Sequence, residues 1–239
     1  MPETLPDING NLEHIRTRIR RAATAAGRDP AEIRLIAVSK YMPVEFVREA
    51  VRCGQHYFGE NTLQDAMEKL HAIPDPQVEW HFIGHLQSNK AKLVAGNFNW
   101  LHTLDSLKLA RKLSAAWSDT QRPLQILLQV NIANDPRKYG LAPAATAQIA
   151  ADLLRLGLPG IELRGLMTIG REHATVEARR HDFRALRQLR DEIAARLGIA
   201  YFRELSMGMS DDFEVAIAEG ATMVRVGSSI FGPRPKATA

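Results

Sequence analysis

Lys40 is the first residue in the sequence whose type and position suggest chemistry. It ends the stretch LIAVSK, directly after a run of mostly apolar residues. A lysine at the end of a buried strand is partly desolvated, and desolvation lowers the pKa of an ammonium group. The neutral amine can attack a carbonyl carbon and form a Schiff base. The alternative is an ordinary surface lysine whose ammonium group reaches water beyond the strand.

Two stretches near the end of the chain are rich in glycine and serine. LSMGMS covers Leu205–Ser210, and GSS covers Gly227–Ser229. Loops of this composition after the last two strands of a barrel commonly bind phosphate, together with the start of a short helix. We predict such a helix at Ser228–Phe231. Ordinary loops are the alternative, and Ser210 with the two acids after it is interpreted as a helix cap.

Arg225 lies inside the apolar run Met223–Val226. A buried arginine without a partner is very costly, so it needs a hydrogen-bonding group or a bound ligand at the end of the strand. An amine, a phosphate cradle and a buried cation together favour a ligand with an aldehyde, a phosphate and a ring nitrogen. Pyridoxal 5′-phosphate (PLP) has all three groups.

A metal site is the weaker interpretation of the polar residues in WHFIGHLQSNK. His81 and His85 are four residues apart, but this spacing crosses a strand and a glycine turn instead of following one helix face. A third ligand would have to come from Glu60, Asp211 or Asp212. We therefore predict no metal ligands in this chain.

These residues follow short apolar runs that alternate with amphipathic segments. The predicted strands are Ile33–Val38, Tyr57–Phe58, Trp80–Ile83, Trp100–Leu104, Leu124–Ile132, Ile161–Ile169, Tyr201–Leu205 and Met223–Val226. The predicted helices between them are Pro43–Cys53, Thr62–His71, Ser88–Ala95, Ser106–Trp117, Ala142–Leu156, Thr175–Leu197 and Asp211–Glu219. A further helix, Leu12–Ala26 with Asn9 as its cap, precedes them.

The alternation predicts an α/β protein: a single (β/α)8 TIM barrel with an extra N-terminal helix. An open, doubly wound sheet is the alternative, and the weak second and seventh runs leave the count at seven or eight strands. We expect residues 1–239 to form one domain, with about residues 232–239 as a loose tail.

Composition narrows the class of protein. Hydrophobic residues make up 45% and charged residues 24% of the 239-residue chain, which is typical of a globular protein. The net charge is +4, and the basic residues are interspersed with acidic ones. This pattern disfavours nucleic acid as a partner, because nucleic-acid binders usually concentrate basic residues on one face. No apolar run reaches the length of about 20 residues that spans a bilayer. One cysteine and an N-terminus without an apolar segment favour the cytoplasm.

Seven motifs, taken together, resemble the pyridoxal phosphate homeostasis protein family, whose fold is similar to the barrel domain of alanine racemases. They follow one another over nearly the whole chain, which makes the combination specific. The motifs are AVSK (Ala37–Lys40), FGEN (Phe58–Asn61), WHFIGHLQSNK (Trp80–Lys90), QVNI (Gln129–Ile132), RGLMTI (Arg164–Ile169), LSMGMSDD (Leu205–Asp212) and RVGSSIFG (Arg225–Gly232).

The resemblance implies roles for individual residues. Lys40 matches the lysine that holds PLP as an internal aldimine, Asn61 lies near the cofactor ring, and Arg225 faces the pyridine nitrogen. The phosphate cradle corresponds to Ser206, Gly227 and Ser228, with Met209 and Ser210 nearby. Lys138 matches a family lysine whose role is open.

The resemblance also implies a function in intracellular vitamin B6 homeostasis, without dedicated turnover. PLP-dependent apoenzymes are then the expected partners. We also expect a monomer, because the predicted barrel leaves no second domain to exchange between chains. The alternative is a racemase or lyase of the alanine racemase type. Racemisation needs an acid/base group on each face of the substrate carbon, and only Tyr41 and Tyr139 offer themselves opposite Lys40. A sugar-phosphate enzyme that uses Lys40 is a third hypothesis.

Overall fold

Eight parallel strands close into a barrel in a computed structural model that describes residues 6–119, 122–171 and 173–233. The strands are β1 Arg34–Val38, β2 Tyr57–Glu60, β3 Glu79–Phe82, β4 Trp100–Leu104, β5 Leu124–Gln129, β6 Ile161–Met167, β7 Glu204–Ser206 and β8 Met223–Val226. Each strand pairs with the next along the chain, and β8 pairs back with β1 through the register Ile36↔Arg225. The predicted barrel is therefore confirmed, and the open sheet is wrong.

Helices lie around the outside of the barrel, one before the first strand and the others after successive strands. They are α1 Ile8–Ala25, α2 Val44–Arg52, α3 Leu63–Ala72, α4 Ala91–Val94, α5 Leu107–Ala116, α6 Pro143–Leu156, α7 Val176–Leu197, α8 Phe213–Ala218 and α9 Ser228–Phe231. Two 3-10 turns, Pro30–Glu32 and Ser88–Lys90, precede β1 and α4. None of the helices in the described part of the chain is both long and apolar enough to cross a membrane.

Strand residues alternate between two apolar regions. Leu35 and Ala37 of β1 belong to the large core between the barrel and its helices, whereas Ile36 belongs to a small cluster inside the barrel. That inner cluster draws one residue from each of five strands: Ile36, Trp100, Leu127, Met167 and Met223. Because both faces of each strand are covered, the strands appear in the sequence as nearly continuous apolar runs.

The N-terminal helix α1 packs against α8 and α9. Its buried residues recur at three- and four-residue intervals, as a helix that buries one face requires: Ile8, Leu12, Ile15, Ile19 and Ala23. Arg18 donates two hydrogen bonds to the carboxylate of Glu214, at 2.7 and 2.9 Å. The predicted cap is wrong, because Asp7 and not Asn9 accepts the hydrogen bond from Gly10 N, at 2.9 Å.

The other differences from the sequence prediction lie at the ends of elements. β7 begins at Glu204 instead of Tyr201, since Phe202 closes a turn in which its N–H donates to Ile199 O at 3.1 Å. β5 ends at Gln129, because the side-chain oxygen of Asn131 accepts a hydrogen bond from Asp135 N and turns the chain. In the predicted loose tail, residues 234–239 lie outside the described residues.

Candidate functional site

A cavity of about 290 Å³ lies at the carboxyl ends of the strands. Seven of the eight residues predicted for the cofactor site line it: Lys40, Asn61, Met209, Ser210, Arg225, Gly227 and Ser228. They follow or belong to β1, β2, β7 and β8, so the closure of the barrel brings distant parts of the sequence to one opening. Val38, Ile83 and Met167 supply apolar wall.

Lys40 occupies a tight turn that directly follows β1. Ser39 N donates to Gly59 O at 3.1 Å, and Met42 N donates to Ser39 O at 3.0 Å. Lys40 and Tyr41 are therefore the two central residues of a four-residue turn. Tyr41 has a φ of 63°, a left-handed conformation that costs a side-chain-bearing residue about 1–2 kcal/mol.

A buried ionic network lies against this turn. Lys69 of α3 is only 2% exposed, and its ammonium group donates to Ser39 O at 2.6 Å, to Glu60 Oε1 at 2.9 Å and to Asp65 Oδ2 at 2.9 Å. The hydroxyl of Ser39 donates to the same Glu60 oxygen at 2.6 Å. Asp65 Oδ2 also accepts the N–H of Tyr41 at 2.8 Å. We call Lys69, Glu60, Asp65 and Ser39 the Lys69 network.

Burial raises the pKa of Glu60 to about 7, and the charge of Lys69 and the hydrogen bond from Ser39 only partly oppose this. Its second oxygen, Oε2, is buried and has no hydrogen-bond partner among the described residues. Glu60 was considered from the sequence as a metal ligand. In the structure its carboxylate instead accepts hydrogen bonds from Lys69 and Ser39. Sequence analysis did not identify Lys69 as a residue of the site.

Asn61 follows Glu60 and faces the cavity with an unused acceptor. Its Oδ1 is buried and has no partner in the described part of the chain. The backbone of Asn61 is held by a close approach to Gly84, where an added Cβ would lie 1.9 Å from Asn61 O. Only glycine fits at position 84, so the loops after β2 and β3 can touch.

Arg225 lies inside the barrel at the floor of the cavity and is 4% exposed. Its guanidinium donates to Ser206 Oγ at 2.6 Å and to Thr168 O at 2.9 Å, both of them neutral groups. Burial lowers the pKa of Arg225 to about 10, partly opposed by the charge of Asp212, so it remains a cation at neutral pH. The partner that the sequence required for Arg225 is therefore present.

Ser206 lies deeper than the other predicted site residues. Its hydroxyl accepts from Arg225 and lies 2.8 Å from His102 Nδ1. His102 Nε2 in turn lies 2.9 Å from His81 Nδ1, so a polar chain runs down the barrel axis. Ser206 is not among the residues that line the cavity, and its contact with a phosphate stays a prediction.

The pKa values of both histidines are lowered well below their usual range. Burial is the main cause. Electrostatic repulsion from His102 and Arg34 lowers the pKa of His81 further, and repulsion from Arg225 and Arg34 lowers that of His102. Both rings are thus neutral at neutral pH, and each carries one N–H. Sequence analysis missed His102, because it lies within the mostly apolar strand WLHTL and no local pattern marks it as a functional residue.

The loops after β7 and β8 meet at the cavity. Ser228 Oγ and Ser210 Oγ lie 3.5 Å apart, and α9 begins at Ser228. A Cβ at Gly227 would lie 3.0 Å from Val38 O, so glycine lets the end of β8 approach β1. The predicted cap at Ser210 is wrong: α8 begins at Phe213, and Asp212 Oδ1 accepts the N–H of Met209 at 2.7 Å.

His81 and His85 occupy different environments. His81 is fully buried in the barrel, whereas the ring of His85 stacks on Tyr139 with centroids 3.9 Å apart. Within residues 6–119, 122–171 and 173–233, no three His, Cys, Asp or Glu side chains form a potential metal cluster. Lys138 donates to Gly170 O at 2.5 Å, and Tyr139 and Tyr41 are 60% and 52% exposed.

Comparison with known proteins defines the class. Residues 10–235 match the family described as alanine racemase, N-terminal domain. The fold is similar to that of alanine racemase from Corynebacterium glutamicum, with a TM-score of 0.67 and 20% identity, covering 95% of this chain and 63% of that one.

Closer relatives define the family within that class. Proteins called pyridoxal phosphate homeostasis protein are 45% identical in Pseudomonas aeruginosa (95% of this chain, 96% of the relative) and 42% identical in Escherichia coli K12 (95% and 97%). PipY of Synechococcus elongatus, solved with PLP bound, is 36% identical with a TM-score of 0.77, covering 90% of this chain and all of that one. The chain therefore belongs to the pyridoxal phosphate homeostasis protein family, as its motifs predicted.

Proposed function

We propose that this protein binds PLP covalently through Lys40 and takes part in vitamin B6 homeostasis without dedicated catalytic turnover. The observation that carries the proposal is the meeting of Lys40, Asn61, Arg225 and Ser228 at one cavity. Its volume of about 290 Å³ suits a small ligand. Relatives named for pyridoxal phosphate homeostasis, and PipY with PLP bound, support the assignment.

The residues of the cavity match the parts of PLP. Lys40 supplies the amine for the aldehyde, and the unpartnered Oδ1 of Asn61 is an acceptor that a ligand can satisfy. Ser210 and Ser228 supply hydroxyls for the phosphate, with Gly227 leaving the backbone open. The first N–H groups of the helix that starts at Ser228 have no partner within the helix, which suits an anion.

Arg225 explains why turnover is not expected. Bound PLP supplies an aldehyde that reacts with amines and a ring that withdraws electrons. A cation such as Arg225 disfavours protonation of a nearby pyridine nitrogen, which weakens that withdrawal. A structural argument points the same way: Tyr41 and Tyr139, the candidates for a second acid/base group, are both more than half exposed.

The test is an absorbance spectrum of the purified protein with added PLP, before and after reduction with borohydride, followed by peptide mass mapping. We expect a visible band that borohydride removes, and a reduced PLP adduct on Lys40. Lys40→Met should lose both. Lys112→Met is the matched control, because Lys112 is an exposed lysine of α5, and it should keep both.

An adduct that maps to another lysine, or a band that survives Lys40→Met, would contradict the assignment of Lys40. Exchange of Cα hydrogen for deuterium in supplied amino acids, at the rate of an enzyme, would favour the racemase or lyase. Retention of a sugar phosphate in place of PLP would favour a sugar-phosphate enzyme.

The proposed recipients of the cofactor are PLP-dependent apoenzymes. The link between an amine and an aldehyde is reversible in water, which a carrier requires. Loaded protein should restore activity to an apoenzyme, whereas borohydride-reduced protein should not. The proposal also places the protein in the cytoplasm, which is consistent with its single cysteine, Cys53. It further includes a monomeric state, and light scattering after gel filtration would measure the mass that tests this.

A further inference from the structure

The geometry points to Asp65 and Lys69 as positioning residues that hold the Lys40 turn in the conformation in which its amine reacts with an aldehyde. This inference rests on the proposed function, because it concerns the same amine. Neither residue is among those that line the cavity, so they would act through the backbone. The resemblance to the family assigned no role to either.

Hydrogen bonds from the Lys69 network reach the backbone on both sides of Lys40. Before Lys40, the carbonyl of Ser39 accepts from Lys69 Nζ at 2.6 Å. After Lys40, the N–H of Tyr41 donates to Asp65 Oδ2 at 2.8 Å. The two contacts are joined, because Asp65 Oδ2 also accepts from Lys69 at 2.9 Å. The peptide units that flank Lys40 are thus attached to one ammonium group.

The turn needs such support because of Tyr41. Its φ of 63° is unfavourable for a residue with a Cβ, and such conformations persist only where surrounding contacts enforce them. The contact from Asp65 to the Tyr41 N–H is therefore placed where it selects the left-handed conformation.

Lys69 is itself committed to this task. An ammonium group has three donors, and all three are used within the network. A buried lysine is costly unless it is paired, and here two carboxylates pair it, one from β2 and one from α3. The network therefore links β1, β2 and α3 at the end of the strand that carries the reactive amine.

Asp65→Ala and Asp65→Asn separate positioning from general stability. The alanine variant removes the acceptor for Tyr41 N–H and Lys69, whereas the amide oxygen of asparagine can still accept both. Asp152→Ala is the matched control, because Asp152 is a helical aspartate of similar exposure that pairs with Arg155 on α6. Lys69 itself is left unchanged, since its removal would leave two carboxylates without their partner.

Two measurements on the full-length apo protein follow PLP chemistry. The first is the rate constant of covalent attachment after PLP is mixed in, recorded from the visible band. The second is the affinity for pyridoxine 5′-phosphate, which has an alcohol in place of the aldehyde and cannot attach. We expect Asp65→Ala to slow attachment by at least about tenfold, because misplacement of a reacting group lowers its rate steeply. Affinity for the alcohol should stay unchanged.

Asp65→Asn and Asp152→Ala should attach PLP at nearly the wild-type rate. Equal rates in wild type and Asp65→Ala would overturn the inference. So would a parallel loss of affinity for pyridoxine 5′-phosphate, which would mean that Asp65 supports the whole cavity. A rate in Asp65→Asn as slow as in Asp65→Ala would also overturn it, because the charge of Asp65 and not its hydrogen bond to Tyr41 would then set the rate.

A third measurement does not depend on PLP. Hydrogen exchange at the Tyr41 amide, followed by NMR, should be much faster in Asp65→Ala than in wild type and restored in Asp65→Asn. If wild-type protein bound no PLP, the proposed function would fail while this result still decided whether Asp65 holds the turn. Unchanged Tyr41 exchange in Asp65→Ala would overturn the positioning role in either case.

Discussion

Glu60→Gln should remove a pH dependence of stability that the wild-type protein shows between about pH 4.5 and pH 7. Glu60 is completely buried at the end of β2, and its pKa in the folded protein is raised to about 7 by that burial. In the unfolded chain a glutamate has its ordinary pKa of about 4.5. Between these two values the folded protein holds a proton that the unfolded chain has already lost.

The sign follows from proton binding. Because the folded state binds more protons, the free energy of unfolding falls as pH rises from about 4.5 to about 7 and is level on either side. A difference of 2.5 pKa units, at about 1.36 kcal/mol each, corresponds to about 3 kcal/mol over that interval. Glutamine has no such titration, and its amide oxygen can still accept from Ser39 and Lys69.

The assay is urea unfolding of the apo protein at several pH values from 4.5 to 8, for wild type and Glu60→Gln. Other titrating groups cancel in the difference between the two. The variant should gain about 3 kcal/mol relative to wild type as pH rises through this range. Glu68→Gln is the matched control, an exposed glutamate of α3, and its difference from wild type should stay level. Parallel curves for wild type and Glu60→Gln would refute the reasoning and show that Lys69 keeps Glu60 ionised throughout.

Three further substitutions test the interior of the barrel. Arg225→Met should change the free energy of unfolding of the apo protein by no more than about 1 kcal/mol, because the variant loses the hydrogen bonds of Arg225 but also avoids the cost of burying its charge. Urea unfolding measures this change, and a loss above about 3 kcal/mol would contradict the prediction. Ser206→Ala leaves an N–H of Arg225 unpaired and should cost about 1–3 kcal/mol in the same assay. Gly165→Ala places a Cβ 1.9 Å from Glu204 O and should cost about 3 kcal/mol or prevent folding. Thermal unfolding checks it against Gly157→Ala, where nothing lies within 4 Å of the added Cβ and only the left-handed φ of 52° costs about 1–2 kcal/mol.

The barrel was predictable because its strands are covered on both faces. Such strands appear as short apolar runs, and a parallel barrel gathers their carboxyl ends at one opening. From that rule alone, Lys40 and Arg225 are predicted to lie close together although they are far apart in the sequence. The register Ile36↔Arg225 shows the reason, since β1 and β8 are neighbours in the closed sheet.

The Lys69 network was not predictable from a local pattern. A lysine in an amphipathic helix is usually solvated, and only the packing of α3 against the barrel places Lys69 in the interior. A weak signal exists: Ala66 and Lys69 are three residues apart and so share a helix face, and Asp65 lies four residues before Lys69. This pattern also fits an ordinary surface ion pair, so sequence alone could not decide between the two.

The partners of Arg225 decide what the cavity can hold. A carboxylate opposite the guanidinium would cancel its charge, but Ser206 and Thr168 contribute only dipoles. Asp212 offsets the cost of burial in part, yet its Oδ1 is committed to Met209 N–H. The floor of the cavity therefore keeps a positive charge that the barrel does not neutralise. An anionic ligand relieves that charge, so the folded protein should be more stable when such a ligand is bound, by an amount that grows with ligand concentration.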